Sequence, residues 1–235
     1  MLKALYITLT LSLPPSGFGV HIQHILHSIH GHTTKLEYQT PDWTVPQQFA
    51  LPTIQSITKA CRIRDFDAIF NHAMDMKGLG EGLTPSGDDF VGGLLFCIRT
   101  LQDLFDDDHL DFSNHVAEFL KNSKPRTNLI SYTILKDHAY GHTYETLQGF
   151  IQALFTGKDP EILRQATQKL IQIGHSTGWD MLCGILTGLL MLNDFNSHNI
   201  IVRQSRNAHH FLYRKVIPWI SNKKSRKPMK RLPNG

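Results

Sequence analysis

A chain of 235 residues, 41% apolar and 19% charged, is sized for one substantial hydrophobic core and has the composition of a folded globular protein. No apolar run reaches the ~20 residues that a membrane-spanning helix needs. The formal charge of +4 is uneven: eight of the 24 basic residues lie between Arg214 and Gly235 with no acidic residue among them, so the other 16 are outnumbered by 20 acidic ones. The basic, proline-containing tail could touch nucleic acid or acidic partners, but it reads as solvated chain without a function of its own, and nucleic acid is not expected as a partner. Cys61, Cys97 and Cys183 are odd in number, far apart and in apolar surroundings. They read as reduced core thiols of a cytoplasmic protein rather than as a disulfide frame or a zinc site.

At the start of the chain, Ile7, Leu9, Leu11 and Leu13 alternate with Thr8, Thr10 and Ser12. That is the period of a strand, and no small-residue cleavage site follows it. Pro14-Pro15-Ser16-Gly17 is a turn; Ile22, Ile25, Leu26 and Ile29 then follow helical spacing, and Thr33 to Gln39 again has strand character. His21, His24 and His27 step by three along that helix, but without carboxylate or cysteine partners they read as solvated polar positions rather than metal ligands. From Thr53 the chain becomes mostly helical. Ile54, Ile57 and Cys61 form one stripe, and Phe66, Ile69, Phe70 and Ala73 another. Further helices are expected at about Asp88 to Leu104, Phe112 to Leu120, Arg126 to Tyr140, Tyr144 to Phe155, Glu161 to Ile173 and Met181 to Leu192. The expected fold is mainly α (α+β). A helical, bundle-like main domain spans residues 53–213, after a small N-terminal β-containing portion over 1–52 and before the tail over 214–235.

The chemistry concentrates in Gly78-Leu79-Gly80-Glu81-Gly82-Leu83-Thr84-Pro85-Ser86-Gly87-Asp88-Asp89, followed by the apolar run Phe90 to Ile98. Glycines at this density let backbone turn sharply and approach a ligand. Ser86 is placed like an N-cap, with Asp88 and Asp89 in the first turn, where the helix dipole favours negative charge. Free N–H groups at such a helix start are the ingredients of a small-anion site. A well-capped buried helix would explain Ser86 and one aspartate, but not Gly80, Gly82 and Thr84.

A second copy lies near the other end. Ser86-Gly87-x-Asp89 and Gly93 align with Thr177-Gly178-x-Asp180 and Gly184, and Gly174-His175-Ser176 leads in as Gly82-Leu83-Thr84 does. In each copy the glycine four residues after the aspartate lies one helical turn along the same face, where it lets a second helix come close. Two loop-to-helix corners facing each other about a pseudo-twofold axis would form one pocket. Between them, Arg126-Thr127-Asn128-Leu129-Ile130-Ser131 opens another helix with a cation and hydroxyls. It could hold an anionic group or be a surface arginine beside an ordinary threonine cap, and spacing alone leaves both open.

Taken together, Gly80-x-Gly82-Leu83-Thr84-Pro85-Ser86-Gly87-Asp88-Asp89, Arg126-Thr127-x-x-x-Ser131 and Gly174-His175-Ser176-Thr177-Gly178-x-Asp180-x-Leu182-x-Gly184 resemble the AllH-type proteins, a family long catalogued as a domain of unknown function. The resemblance runs from about residue 8 to about residue 192. It implies a subunit of an oxamate carbamoyltransferase of anaerobic allantoin breakdown, hence partner subunits and a small carboxylate or carbamoyl substrate. The implied reaction moves a carbamoyl group between phosphate and the amide nitrogen of oxamate. Glu81 stands where the family suggests proline and Thr177 where a serine is common. The family's N-terminal β-rich part looks shortened here, which would leave the first strand as an edge in need of a partner.

On this reading the catalytic groups are Asp88, Asp89, Asp180 and His175. Gly80, Gly82, Thr84, Ser86, Gly87, Arg126, Thr127, Ser131, Ser176, Thr177 and Gly178 would contact substrate. The helix starts at Ser86 and Thr177 would supply N–H donors and Arg126 the cation. Asp88 and Asp89 repel a phosphate unless Mg²⁺ bridges them, unless they face an amide N–H₂, or unless one is protonated. No other cofactor is implied, and no metal ligand set can be named. Neither loop contains a lysine, so this is not a Walker-type nucleotide loop. Two other readings stay open: a metabolite-binding or scaffold subunit without chemistry, and a metal-dependent hydrolase using the paired aspartates.

Overall fold

The computed structural model describes residues 15–30, 43–105, 111–156 and 159–192. Among them are nine α-helices and no strand. In chain order these are α1 Ile22–His30, α2 Val45–Ile63, α3 Phe66–Asp75, α4 Ser86–Phe105, α5 Ser113–Ser123, α6 Leu129–Ala139, α7 Glu145–Thr156, α8 Pro160–Ile171 and α9 Thr177–Gly188. The described protein is mainly α, as the periodicity indicates. The two expected strands, the segment after Leu192 and the basic tail fall outside the described residues.

The two motif helices, α4 and α9, pack against each other at the centre. Every residue of α9 from Gly178 to Gly188 is buried, as is α4 from Gly87 to Ile98. A helix apolar on all sides belongs in a core, not on a surface. Glycines set how close the pair comes. A Cβ at Gly184 would stand 2.0 Å from the Phe90 carbonyl oxygen, and one at Gly93 would stand 2.2 Å from the Met181 carbonyl oxygen. Phe90 and Met181 occupy equivalent positions in the two motif copies, so these contacts are reciprocal, as a pseudo-twofold axis requires.

The remaining helices shield this pair. α2 and α3 form one layer, α6 covers α4, α7 pairs with α8, and α8 leans on α9. The starts of several helices are explicit in the sequence. α2 begins with a Thr44/Gln47 capping box and Pro46 in its first turn, α3 with Asp65 accepting from the Ala68 N–H at 2.9 Å, and α8 with Asp159 and Pro160. α6 is capped by Asn128, which accepts from the Ser131 N–H at 2.9 Å, rather than by Thr127. The change of composition near Thr53 has no counterpart in the backbone, because α2 runs through Pro52.

One N-terminal expectation is overturned. His21 is not solvated but fully buried, its ring edge-on to Trp43 at 4.8 Å and its Nε2 hydrogen-bonded to the Gln47 carbonyl at 2.9 Å. Burial pushes its pKa down to about 4, so the ring is neutral. Its turn, Gly17–His21, packs on α9. The first residues described thus join the same core as the motif helices.

Candidate functional site

The first corner begins where α3 ends. Gly78, Gly80 and Gly82 have φ of 74°, 109° and 95°, which side-chain-bearing residues rarely adopt. The loop closes when the Gly87 N–H donates to the Leu79 carbonyl at 2.8 Å. A Cβ on Gly87 would lie 1.9 Å from the Met76 carbonyl oxygen, so only glycine fits there. The Pro85 carbonyl accepts from the N–H groups of Asp88 and Asp89, at 2.8 and 3.1 Å. Ser86 is therefore the first helical residue rather than the cap.

Asp88 is wholly occupied. Its Oδ1 accepts from the Lys77 ammonium and from the Gly78 N–H at 3.0 Å; its Oδ2 accepts from Thr127 Oγ1 and from Ser131 Oγ at 2.5 Å. The Lys77 and Asp88 side chains are 0% and 1% exposed. Burial alone would raise the Asp88 pKa, but Lys77 and the two hydroxyls outweigh it and hold the carboxyl below its ordinary range. Burial lowers the Lys77 pKa, and Asp88 opposes that shift. Asp88 thus ties the loop to the start of α6 through Thr127 and Ser131.

The second corner repeats the first. Gly174 has φ of 59°, the Gly178 N–H donates to the Ile173 carbonyl at 3.0 Å, and a Cβ on Gly178 would meet the Leu170 carbonyl oxygen at 1.9 Å. The Ser176 carbonyl accepts from the Asp180 N–H at 2.9 Å. The corners meet: Thr84 Oγ1 and Thr177 Oγ1 are 3.4 Å apart, as are Ser86 Oγ and Ser176 Oγ. The hydroxyls cross between copies. Asp89 is attended by Thr177 as well as by Thr84 of its own loop, and Asp180 by Ser86 as well as by Ser176.

Asp89 is 3% exposed and Asp180 0%. Burial pushes the Asp89 pKa up to about 6, with the hydroxyls of Thr177 and Thr84 holding it back and Asp88 adding to the rise. Burial raises Asp180 to about 7 against the Phe18 N–H and the hydroxyls of Ser176 and Ser86, with Asp89 adding a little. One oxygen of each, Asp89 Oδ2 and Asp180 Oδ2, has no hydrogen-bond partner among the described residues. Other buried side-chain atoms, among them Ser123 Oγ and His138 Nδ1, also lack a partner among the described residues, so what sets these two oxygens apart is their pairing. They lie in neighbouring, pseudo-equivalent carboxyls, both titrating near neutrality, and can accept or hand over a proton and bind a group with N–H donors.

Other expected residues lie apart. Arg126 is exposed, and its guanidinium donates to the Met74 carbonyl at 3.4 Å. It lines a groove of about 600 Å³ between α3 and α5, together with Phe70, Met74, His115 and Lys121, and contacts neither Asp89 nor Asp180 among the described interactions. His175 is exposed, and its backbone carbonyl accepts from Ser16 Oγ at 2.8 Å. Conversely, Lys77 belongs to the site but precedes the glycine loop, where it reads as the last residue of a helix. The Phe18 N–H donates to Asp180 Oδ1 at 2.5 Å across a separation of 162 residues, for which no local pattern exists. No group of three or more His, Cys, Asp or Glu side chains able to hold a metal is found among the described residues. With both oxygens of Asp88 occupied, a metal pair made of Asp88 and Asp89 does not fit.

No solved structure matches the chain. The family model described as oxamate carbamoyltransferase subunit AllH matches residues 76–189, a shorter span than the expected 8 to 192. It contains Lys77, both glycine-hydroxyl-aspartate corners and the Arg126–Ser131 segment, and it ends with α9. Residues 76–189, just under half of the chain, are thus similar to that family, and the paired corners lie within the matched span.

Proposed function

We propose that this chain is the AllH-like subunit of a carbamoyltransferase-type complex acting on oxamate, oxalurate or a related small carboxylate with carbamoyl phosphate. The observation that carries this reading is the pair of buried aspartates, Asp89 and Asp180, each with an unpartnered Oδ2 inside a ring of hydroxyls. The substrate's amide N–H₂ suits Asp89 Oδ2, an acceptor without a donor, and its carbamoyl oxygen suits Asp180 Oδ2 when that oxygen carries a proton.

In the synthetic direction the amide nitrogen of oxamate attacks the carbamoyl carbon. A nitrogen–carbon bond forms, the carbon–oxygen bond to phosphate breaks, and the proton leaving nitrogen passes to Asp89, which is ionised above about pH 6. Asp180, protonated below about pH 7, donates through Oδ2 to the oxyanion that develops on the carbamoyl oxygen. Phosphorolysis of oxalurate uses the same groups with their roles reversed. Asp88 holds the loop and α6 in place rather than reacting, since every acceptor site it has is filled. Lys77 is the only basic side chain that the described residues place against these carboxylates, and Asp88 neutralises it. A phosphate dianion therefore finds no spare cation here, and we assign its binding to partner subunits. Buried, free cysteines suit a reducing compartment, and we place the protein in the cytoplasm.

The test is phosphorolysis of oxalurate by this chain assembled with the subunits that co-purify with it. Asp89→Asn and Asp180→Asn are each expected to lower turnover about 100-fold or more, whereas Arg126→Ala is expected to retain turnover within about tenfold. Unchanged turnover in both aspartate variants would remove the site.

A further inference from the structure

We propose that the backbone amide of Phe18, held by the turn Gly17–His21, is a further positioning group of this site: it fixes Asp180 Oδ1 as an acceptor and leaves Oδ2 as the oxygen that carries the proton and meets a ligand. The turn lies outside residues 76–189, so the part of the chain that sets Asp180 is not the part that carries the family's motifs.

Several independent contacts seat this turn on the second corner. The Phe18 N–H donates to Asp180 Oδ1 at 2.5 Å, and Ser16 Oγ donates to the His175 carbonyl at 2.8 Å. Gln47 Nε2 donates to the Gly17 carbonyl at 2.9 Å and ties the turn to α2. Gly17 has φ of 53°, and a Cβ there would stand 2.3 Å from Asp180 Oδ1 and 2.6 Å from the Ser176 Cβ, so only glycine lets the backbone lie on the carboxyl. Gly19 is similarly tight against Trp179, at 2.9 Å.

The contact also breaks the pseudo-twofold symmetry. Asp89 has hydroxyls beside it but no backbone N–H among the described hydrogen bonds, whereas Asp180 has both. A carboxyl whose Oδ1 accepts a short N–H hydrogen bond takes its proton on the other oxygen, because a proton on Oδ1 would oppose the donor. Two chemically similar aspartates are thereby given different tasks, with Asp180 presenting a defined O–H. The titratable groups facing Asp180 are Asp89 on α4 and Cys183 one turn along α9; the Ser16–Gly19 stretch brings no charge.

The experiment is a pH titration of full-length protein carrying ¹⁵N-phenylalanine, followed by amide proton shifts, with Asp180→Asn used to assign the response. The Phe18 amide is expected well downfield of the other phenylalanine amides, with an inflection near the Asp180 midpoint of about pH 7. Asp180→Asn should abolish that inflection. Gly17→Ala, which pushes the turn off the carboxyl, should move the amide upfield and raise the Asp180 midpoint by roughly one unit, because the lost donor favoured the ionised form. A wild-type Phe18 amide that does not titrate, or an inflection that persists in Asp180→Asn, overturns the proposal. The proposal rests on the function above only for the identity of the ligand. A Phe18 amide that titrates with Asp180 in a protein that fails to bind oxamate supports this assignment and contradicts that function.

Discussion

Gly184→Ala tests the packing on which the site depends. The added methyl would stand 2.0 Å from the Phe90 carbonyl oxygen and 2.8 Å from the Leu94 nitrogen, where ordinary contact starts at 3.4 Å. The obstacle is backbone inside a helix, so no rotamer change relieves it, and α4 and α9 must part. Overpacking of this kind costs about 1–3 kcal/mol, and a rigid obstacle puts the cost near the top of that range. Alanine gains back about 1 kcal/mol over glycine in helix propensity. The net loss is then about 2 kcal/mol, a fall in Tm of about 4–8 °C for a protein of this size. Gly149→Ala is the internal control: it sits in α7, exposed, with nothing within 4 Å of an added Cβ, and should stabilise by about 0.5–1 kcal/mol. Urea denaturation followed by circular dichroism reads both. Gly93→Ala should resemble Gly184→Ala, and the double variant should cost less than the sum, since one separation of the helices relieves both contacts. Gly184→Ala at or above wild-type stability would refute the close crossing of the two motif helices.

Asp88→Asn should cost about 3 kcal/mol, because it strands the buried Lys77 ammonium; pairing it with Lys77→Met should recover much of that loss in the same denaturation assay, and a single-variant loss under about 1 kcal/mol would contradict the buried pair. Asp180 predicts a pH dependence with a definite sign. Its folded pKa of about 7 lies above the unfolded value of about 3.9, so the native state holds a proton that the unfolded chain has lost, and stability from this group falls as pH rises from about 4 to 7. Asp180→Asn should therefore be better tolerated at pH 8 than at pH 5, by about 2–3 kcal/mol relative to wild type, and the contributions of His21 and His138, both pushed to about 4, cancel in that difference. A difference of the opposite sign would show that Asp180 is ionised and stabilised in place. For Ser131→Ala, which removes one of the hydroxyls on Asp88, a loss of about 1–2 kcal/mol is expected from thermal melts, with no effect on the Asp180 midpoint.

What the sequence made legible was local. Period 3.6 marked the buried faces of α2, α3 and α7. The repeated glycine-hydroxyl-x-aspartate pattern anticipated two corners whose glycines admit a partner's backbone, because a Cβ is excluded at Gly87, Gly93, Gly178 and Gly184 by carbonyls within 2.2 Å. What it did not convey depends on long-range approach or side-chain direction. Asp88 and Asp89 look alike in sequence, yet one faces Lys77 and two hydroxyls while the other faces the second corner. Arg126 and Thr127 are adjacent, but Thr127 turns inward to Asp88 and Arg126 outward to Met74. His21 looks like a surface histidine until Phe18, Trp43 and Gln47 are placed around it. The contact of Phe18 with Asp180 joins opposite ends of the described chain, and only the folded core creates it.

The most direct test follows both aspartates at once. In protein labelled with ¹³C at the aspartate side-chain carboxyls, with Asp89→Asn and Asp180→Asn used for assignment, oxamate is titrated into the complete complex. A shared site predicts that the Asp89 and Asp180 resonances move along one isotherm with a single Kd, while Asp88, already saturated, stays nearly still. Movement of only one of the two, or oxamate binding that leaves both unmoved, would contradict a site built from the paired corners.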